Sequence, residues 1–431
     1  MSFGTGLSGL NAASKNLDVI GHNIANANTT GFKMQRAEFA EMYAMALGAA
    51  GGSNGGIGVS VATVAQLFTQ GNIKITGNNL DLAINGEGMF KVRMTDGSVA
   101  YTRNGEFKLD KDGFIVTNNG ARLQGYLPPA PGAPIPVGAT ADLVLPTGAA
   151  IAPRATGSST VNPGISITAN LPAEADAIPG APSTPLTVDE KKYGTAVNIY
   201  DEQGNAIPLQ IYFIKTAANQ WRVVGRTEGA NPQQFDLDGG TALQFDAAGQ
   251  IVGTPTLAIP ANAINADDYA PGVPSANFPA AAVPINIGTT GAWTLSQWGS
   301  PFAVYDIKQD GYAPGELSSI VISEQGIITA RYSNGVSQDA GQVTLVRFRN
   351  LQGLEPVNGG YWRETFTSGQ PIEGQPLSGR FGSVRQNALE ESNVDLTQEL
   401  VNMIVAQRHY QANAQTIKTQ DQVQQTLVNL R

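Results

Sequence analysis

The sequence predicts a multidomain chain, mainly β with α-helical termini, in which nested, inserted β-domains stand on a coiled-coil-like core of N- and C-terminal helices. Three observations predict it. Residues 394–431 hold no Gly or Pro and carry apolar or small residues at alternating steps of four and three. The interior holds short alternating runs closed by Asn-Gly and Asp-Gly pairs, the pattern of hairpins. Pro- and Ala-rich stretches divide those runs into blocks, as domain crossings do.

The first element is a helix over residues 5–27. Leu7, Leu10, Leu17 and Ile24 fall on one stripe, with Ser14 and Gly21 at the intervening positions. Gly6, Gly9 and Gly21 each cost about 1 kcal/mol in a helix interior, so packing has to hold it. Asn26, Asn28, Thr29, Thr30 and Gly31 are turn formers that end it, and Phe32 and Phe39 follow as anchors. Residues 48–58 are a Gly-rich link with Gly51, Gly52, Gly55 and Gly56. No Lys-Ser or Lys-Thr follows it, which excludes a phosphate loop and leaves flexibility as its role.

β-patterning begins at Val59. Hairpin turns are predicted at Asn104–Gly105, Asp112–Gly113 and Asn119–Gly120. The run Asp110-Lys111-Asp112-Gly113 opens like a calcium loop, but its twelfth position is Ala121, so it reads as a turn. Gly86-Glu87-Gly88 lacks the third glycine of a dinucleotide fingerprint and also reads as a turn. After a Pro/Ala/Thr-rich stretch, Leu209, Ile211 and Phe213 alternate on one strand, and Trp221 and Val223 lie on the next. Residues 284–298 are predicted as the last strand pair of that block. A new block starts at Asp306 and re-enters the inner domain. The expected boundaries are residues 1–25 and 394–431 for the helical core and 26–70 and 366–393 for connecting linkers. Residues 71–145 and 306–365 form the inner β-domain, and residues 146–305 the outer one.

The C-terminal helix would be a rod of roughly 55 Å. Its seam is Leu396, Leu400, Met403, Tyr410, Ala414 and Ile417; Gln407 and Asp421 interrupt it, and Val423, Leu427 and Leu430 resume it in a shifted phase. Between Leu400 and Ile417 only Arg408 is charged. A helix polar yet nearly uncharged suits packing on several sides rather than a solvated face. Asn393 or Asp395 is placed to cap it.

Composition narrows the function. The chain has net charge −9 with 14% charged residues, and its sparse, scattered Lys and Arg exclude a nucleic-acid groove. Cysteine is absent, which excludes disulfides, thiol chemistry and Cys-based metal sites. No apolar run reaches the ~18 residues of a membrane span, and the N-terminus lacks the basic and apolar regions of a Sec signal. The two histidines, His22 and His409, sit on the two terminal helices without metal-ligand spacing, and no G-x-S-x-G occurs. No catalytic, cofactor or metal site is expected.

Residues 23–33, NIANANTTGFK, carry the motif residues Asn23, Ile24, Ala25, Asn26, Thr30, Gly31, Phe32 and Lys33. They resemble the N-terminal signature of the bacterial flagellar rod and hook axial proteins. ALEESNVDL followed by ELVNMIVAQRHYQANAQTIKTQDQ resembles the terminal helix of the same family, on its hook side. LDLAI, YTRNGEFKLD and a closing GY resemble its inner domain. The resemblance is specific over residues 1–145 and 306–431 and looser over 146–305. It implies a structural subunit of the flagellar hook and no enzyme. Such subunits polymerise into a curved, flexible tube, a universal joint that passes torque from rod to filament around a central export channel. It further implies export without a cleaved signal peptide through the flagellar type III apparatus and an extracellular place. The implied partners are other copies of itself, a distal rod protein, a hook cap protein and a hook-filament junction protein. Leu7, Leu10, Leu17, Ile24, Leu396, Leu400, Met403, Tyr410, Ile417 and Leu427 would then be assembly residues. A distal rod subunit of the same family, or a secreted β-rich adhesin with a helical stalk, are the alternatives; the insertion at 146–305 favours the hook.

Overall fold

A computed structural model describes residues 3–43, 56–129, 134–136, 138–146, 150–159, 163–228, 232–264, 278–287 and 294–429. Two long helices bracket the β-structure: α1, Phe3–Ala25, and α2, Leu396–Asn429. The chain forms two compact units. One comprises Met1–Thr147, Ser319–Arg331 and Ser337–Arg431; the other comprises Gly148–Ser318 and Tyr332–Val336.

In the first unit α1 and α2 pack antiparallel. A Cβ on Gly6 would lie 3.1 Å from Ile417 Cγ1, and one on Gly9 would lie 3.0 Å from Asn413 Oδ1. The helix-weakening glycines therefore sit where α2 comes closest, and close packing offsets their propensity cost. The other side of α1 carries a hairpin, β1 (Gln35–Tyr43) and β2 (Gly56–Gln66), paired from Gln35↔Gln66 to Tyr43↔Gly56. Val59 N donates to Ser8 Oγ at 3.3 Å, and Gly58, at φ +134°, passes so near that a Cβ would meet that oxygen.

The rest of this unit is β-structure. β3 (Ile73–Ile75) pairs with Ala388–Glu390, and β4 (Leu82–Asn85) pairs with Ser383–Gln386. β5 (Met89–Arg93) pairs antiparallel with both β6 (Val99–Thr102) and β9 (Arg122–Tyr126), and β8 (Ile115–Thr117) pairs with both β7 (Phe107–Leu109) and β9; β6 does not pair with β7, so Asn104–Gly105 is not the hairpin turn expected from the sequence. Phe90, Phe107, Leu123, Leu345 and Val384 fill the core of these strands, and Phe90 meets Phe107 edge-on at 5.3 Å. The Asp110–Gly113 turn joins β7 to β8: Asp110 Oδ1 accepts from Asp112 N at 2.7 Å, and Gly113 takes φ +83°.

Among the described residues, the second unit contains two five-stranded sheets. Leu209, Ile211 and Phe213 on Ala206–Ala217, with Trp221 and Val223 on Gln220–Thr227, pack into one core with Ile165, Ile167 and Leu171 of the other sheet. This is the alternation read from the sequence.

Several expectations are corrected. Residues 26–70 are no bare linker but contain the β1–β2 hairpin. Residues 366–393 are held by three strand pairings, to Leu345–Arg347, β4 and β3. Asp306 lies within Ala303–Gln309, which pairs antiparallel with Ile165–Pro172, so the second unit runs on to Ser318. Val283–Asn286 and Leu295–Trp298 do not pair with each other; both run parallel to Ile165–Pro172, at its start and its end. Of the Gly-rich link, Gly51, Gly52 and Gly55 lie outside the described residues, whereas Gly56 is the first residue of β2, opposite Tyr43.

Candidate functional site: a buried joint between the terminal helices and the β-structure

The motif at the end of α1 builds a polar joint inside the first unit. Asn23, 1% exposed, binds both backbone groups of Gln35: its Nδ2 donates to the carbonyl at 2.7 Å and its Oδ1 accepts from the amide at 2.9 Å. This mimics a strand ladder and fixes where β1 leaves the helix. Asn23 Nδ2 also reaches Glu399 Oε2 of α2 at 3.2 Å. Asn26 Nδ2 bonds the His22 carbonyl at 2.9 Å, and Thr29 Oγ1 donates to Asn26 Oδ1 at 3.2 Å, so side chains satisfy the end of α1. Thr30 Oγ1 donates to Glu106 Oε1 at 2.8 Å.

Gly31 must be glycine. Its φ is +71°, and a Cβ would lie 2.6 Å from Asn104 N and 2.7 Å from Arg103 C. The close approach lets Gly31 N donate to the Glu390 carbonyl at 2.8 Å. Phe32 lies against His22, ring centroids 5.5 Å apart. Lys33 then points inward and is 1% exposed. Its Nζ bonds Glu390 Oε1 at 2.6 Å and the Thr69 carbonyl at 2.8 Å.

Glu390 is the centre. It is fully buried and accepts from Lys33, from Gly71 N at 2.9 Å and, through Oε2, from Arg103 at 3.0 Å. Arg103 also donates to the carbonyls of Ile84 at 3.4 Å and Gly86 at 2.7 Å. Burial pulls the pKa values of the Lys33 ammonium and the Arg103 guanidinium below their ordinary values, and the Glu390 carboxylate opposes it in both. Two cations share one anion, and the backbone carbonyls of Thr69, Ile84 and Gly86 take further donors. Asn393 completes the joint: its Oδ1 accepts from Met34 N at 2.7 Å, and its Nδ2 donates to the Leu67 carbonyl at 2.8 Å. Asp395, not Asn393, caps α2, its Oδ1 accepting from Thr397 N at 2.9 Å and Gln398 N at 3.2 Å.

The helix faces differ from the predicted seam. On α1 the buried residues are Ala12, Val19, Ile20 and Asn23; Leu7 is exposed, and Leu10, Leu17 and Ile24 are half-buried. On α2 the face toward α1 is Glu399, Asn402, Ala406, Asn413, Ile417 and Gln420, with Met403 half-buried beside it. Leu396, Leu400, Val401, Ile404 and Val405 are 45–51% exposed, and Tyr410 is 37% exposed. The outward face is therefore apolar in the first turns of α2. Further along it is polar, with Gln407, Gln411 and Gln415 exposed. Leu427 lies in α2, its side chain outside the described residues. A small, polar inner seam lets the helices approach closely and leaves the larger apolar side chains outside. His22 and His409 do not form a pair: His22 meets Phe32, and His409 lines a shallow groove with Asn16, Val19 and Val405.

Sequence reasoning missed Arg103, Glu390 and Glu399 as joint residues. The one signal was their setting: Arg103 directly precedes the Asn104-Gly105 pair, and Glu390 sits inside the ALEESNVDL match.

Comparison with known proteins agrees with this architecture. Residues 3–33 match the family described as Flagella basal body rod protein, and residues 385–430 match the Flagellar basal body rod FlgEFG protein C-terminal family. Residues 83–171 match the Flagellar hook protein FlgE/F/G D1 domain, and residues 170–312 the Flagellar basal body protein FlaE D2 domain. Flagellar hook protein FlgE of Salmonella typhimurium (strain LT2) is 40% identical over 437 residues, covering 100% of both chains. That of Escherichia coli (strain K12) is 40% identical over 434 residues, again covering 100% of both. That of Treponema pallidum (strain Nichols) is 33% identical over 472 residues, covering 99% of this chain and 98% of its own. The crystal structure of Helicobacter pylori flagellar hook protein FlgE2 superposes with TM-score 0.52 at 15% identity, over 74% of this chain and 100% of that one, and shows a shared fold.

Paired terminal helices, an inserted second β-unit and the joint between helices and sheet define a structural protein of the bacterial flagellar axis. Within that class the chain belongs to the flagellar hook protein family and is a structural subunit of the hook, which adjoins the rod.

Proposed function

We propose that copies of this chain polymerise through the outward faces of α1 and α2 into the tube wall of the hook. The uncovered apolar face of α2 carries this reading. Leu396, Leu400, Val401, Ile404 and Val405 lie on a helix whose own partner is already engaged by a different face. Burying each such side chain against a neighbour is worth about 1.5–3 kcal/mol. Leu7, Leu10, Leu17 and Ile24 on α1 and Tyr410 on α2 extend the same surface. Met403 and Leu427 are further assembly positions, whereas Ile417, which packs against Gly6 of α1, serves assembly by holding the helix pair together.

The β-units then form the outer layers of a curved, flexible tube that works as a universal joint, passing torque from rod to filament. The buried joint around Glu390 transmits load from the helical core to the β-structure, because side-chain hydrogen bonds of Asn23, Lys33, Arg103 and Asn393 tie its segments together. The glutamine-rich part of α2, from Gln407 onward, lines a central export channel, where few charges limit electrostatic trapping of passing chains. The subunit leaves the cell through the flagellar type III apparatus without losing a signal peptide. It meets the distal rod protein at one end of the hook. A hook cap protein, and then a hook-filament junction protein, occupy the other. The surface is structural and performs no catalysis.

Electron microscopy of the purified chain under assembly conditions tests the reading: tubes are expected. Deletion from Met403 onward should abolish them while leaving a cooperative β unfolding transition. Tubes formed by that deletion would refute the role given to α2.

A further inference from the structure

Phe366 holds its whole side chain in solvent, at 102% relative exposure, although the loop that carries it is locked. Ser368, fully buried, accepts from Thr365 N at 3.0 Å and donates to the Thr365 carbonyl at 2.8 Å. Asn350 Nδ2 holds the Thr367 carbonyl at 3.0 Å, and Gly353 passes so close that a Cβ would lie 2.5 Å from Ser368 N. An aromatic ring presented on a fixed backbone contributes no packing to its own unit. Such rings are the usual anchors of interfaces, where they fill a pocket on the partner.

The same unit contains a cavity of about 730 Å³ that its own Phe366 does not fill. Its floor is apolar, with Phe68, Met89, Phe348 and Leu351, and Arg347, Arg349 and Arg380 stand at its edge. Arg347 and Arg380 share a single carboxylate, Glu87, each at 3.2 Å. The cavity edge is thus net cationic. Glu364, two residues before Phe366, carries the opposite sign: it is exposed and accepts one hydrogen bond, from Tyr101 Oη at 3.1 Å. The exposed Arg363 beside it faces Glu355 across the strand pair.

We propose that Phe366 of one copy seats in this cavity of the next copy, with Glu364 meeting the arginine edge. The contact rests on the assembly reading above and makes it specific. Knob and socket are different residues of one chain, so copies can dock head to tail, and in the tube the contact takes this heterologous form rather than that of a reciprocal dimer. It propagates copy after copy into an open array, as a filament requires. Charge complementarity fixes the register and opposes the reversed docking.

Two measurements on the full chain test it. Phe366→Ala should leave the monomer's melting temperature unchanged, because the ring touches nothing, and should raise the critical concentration for tube formation roughly ten- to hundredfold. Copolymers of F366C and I372C, one of them size-tagged, should give an oxidised heterodimer in tubes; the natural chain contains no cysteine to confuse the product. Ile372 lines the socket and is 37% exposed. An unchanged critical concentration overturns the proposal. A raised one without the heterodimer, or F366C linking to itself, places the ring against another surface and overturns it as well. Wild-type chain that stays monomeric under the same conditions overturns the assembly reading, a result separable from all of these.

Discussion

The carboxylate of Glu390 lies 2.6 Å from the ammonium of Lys33, 357 residues earlier in the chain. Neither side chain is more than 1% exposed. A buried pair of this kind adds little net stability over an apolar substitute, but removing one member leaves a charge stranded. Here the anion serves two cations, so the members are unequal. Glu390→Gln strands both Lys33 and Arg103 and should destabilise the first unit by about 3–5 kcal/mol. Lys33→Met leaves the Arg103–Glu390 pair and should cost less. Urea unfolding of the monomer checks both; the transition of the second unit should not move.

Gly31 tests whether the joint depends on backbone geometry as much as on charge. Gly31→Ala places a Cβ 2.6 Å from Asn104 N at φ +71°. The left-handed conformation alone costs roughly 1–2 kcal/mol, and here the clash is with backbone that cannot rotate away. A loss above about 2 kcal/mol in the first unit is expected, as for other strained backbone positions. A loss under 0.5 kcal/mol would show that the loop at Asn104 yields.

Period and turn chemistry made the elements legible. The Leu209, Ile211, Phe213 alternation and the Asp110–Gly113 turn follow from local rules, and both occur as read. Partner choice was not legible. Alternation says which face of Val283–Asn286 is buried, but nothing local says that it runs parallel to Ile165–Pro172 rather than pairing with Leu295–Trp298. Which face of α2 meets α1 was illegible for a related reason. Size alone marks Leu396 and Leu400 as seam residues, yet α1 presents Gly6 and Gly9, and close approach favours Ala406 and Asn413. The motif residues Asn23, Gly31 and Lys33 could be singled out in the sequence. Their counterparts Arg103, Glu390 and Glu399 could not, because only the fold brings them together.

Glu190 gives the second unit a specific acid sensitivity. Its oxygens accept from Ser183 N at 2.8 Å and Thr187 N at 2.7 Å, and from both hydroxyls. Burial alone would raise its pKa, but these hydrogen bonds outweigh burial and hold it below the ordinary 4.5. A carboxyl depressed in the folded state stabilises above the unfolded value and loses that contribution as pH falls through the folded one. Melting of the second unit should therefore weaken as pH drops below 4.5, and Glu190→Gln should flatten that part of the profile. An unchanged profile would mean that another carboxylate sets the acid limb.

The outward and inward faces of α2 should separate assembly from folding. Leu400 and Ile404 are 46% and 51% exposed, so Leu400→Lys with Ile404→Lys should change monomer stability by no more than about 0.5 kcal/mol per site. The same pair places two ammonium groups on the face assigned to neighbouring copies, and tube formation should be lost. Ala406 is 2% exposed, so Ala406→Leu must force α1 and α2 apart, costing about 1–3 kcal/mol in the monomer. Thermal melting read beside sedimentation distinguishes the two. Tubes from the double lysine variant would move the assembly surface off this face, whereas a destabilised monomer from that variant would mean that the face is covered within the chain itself.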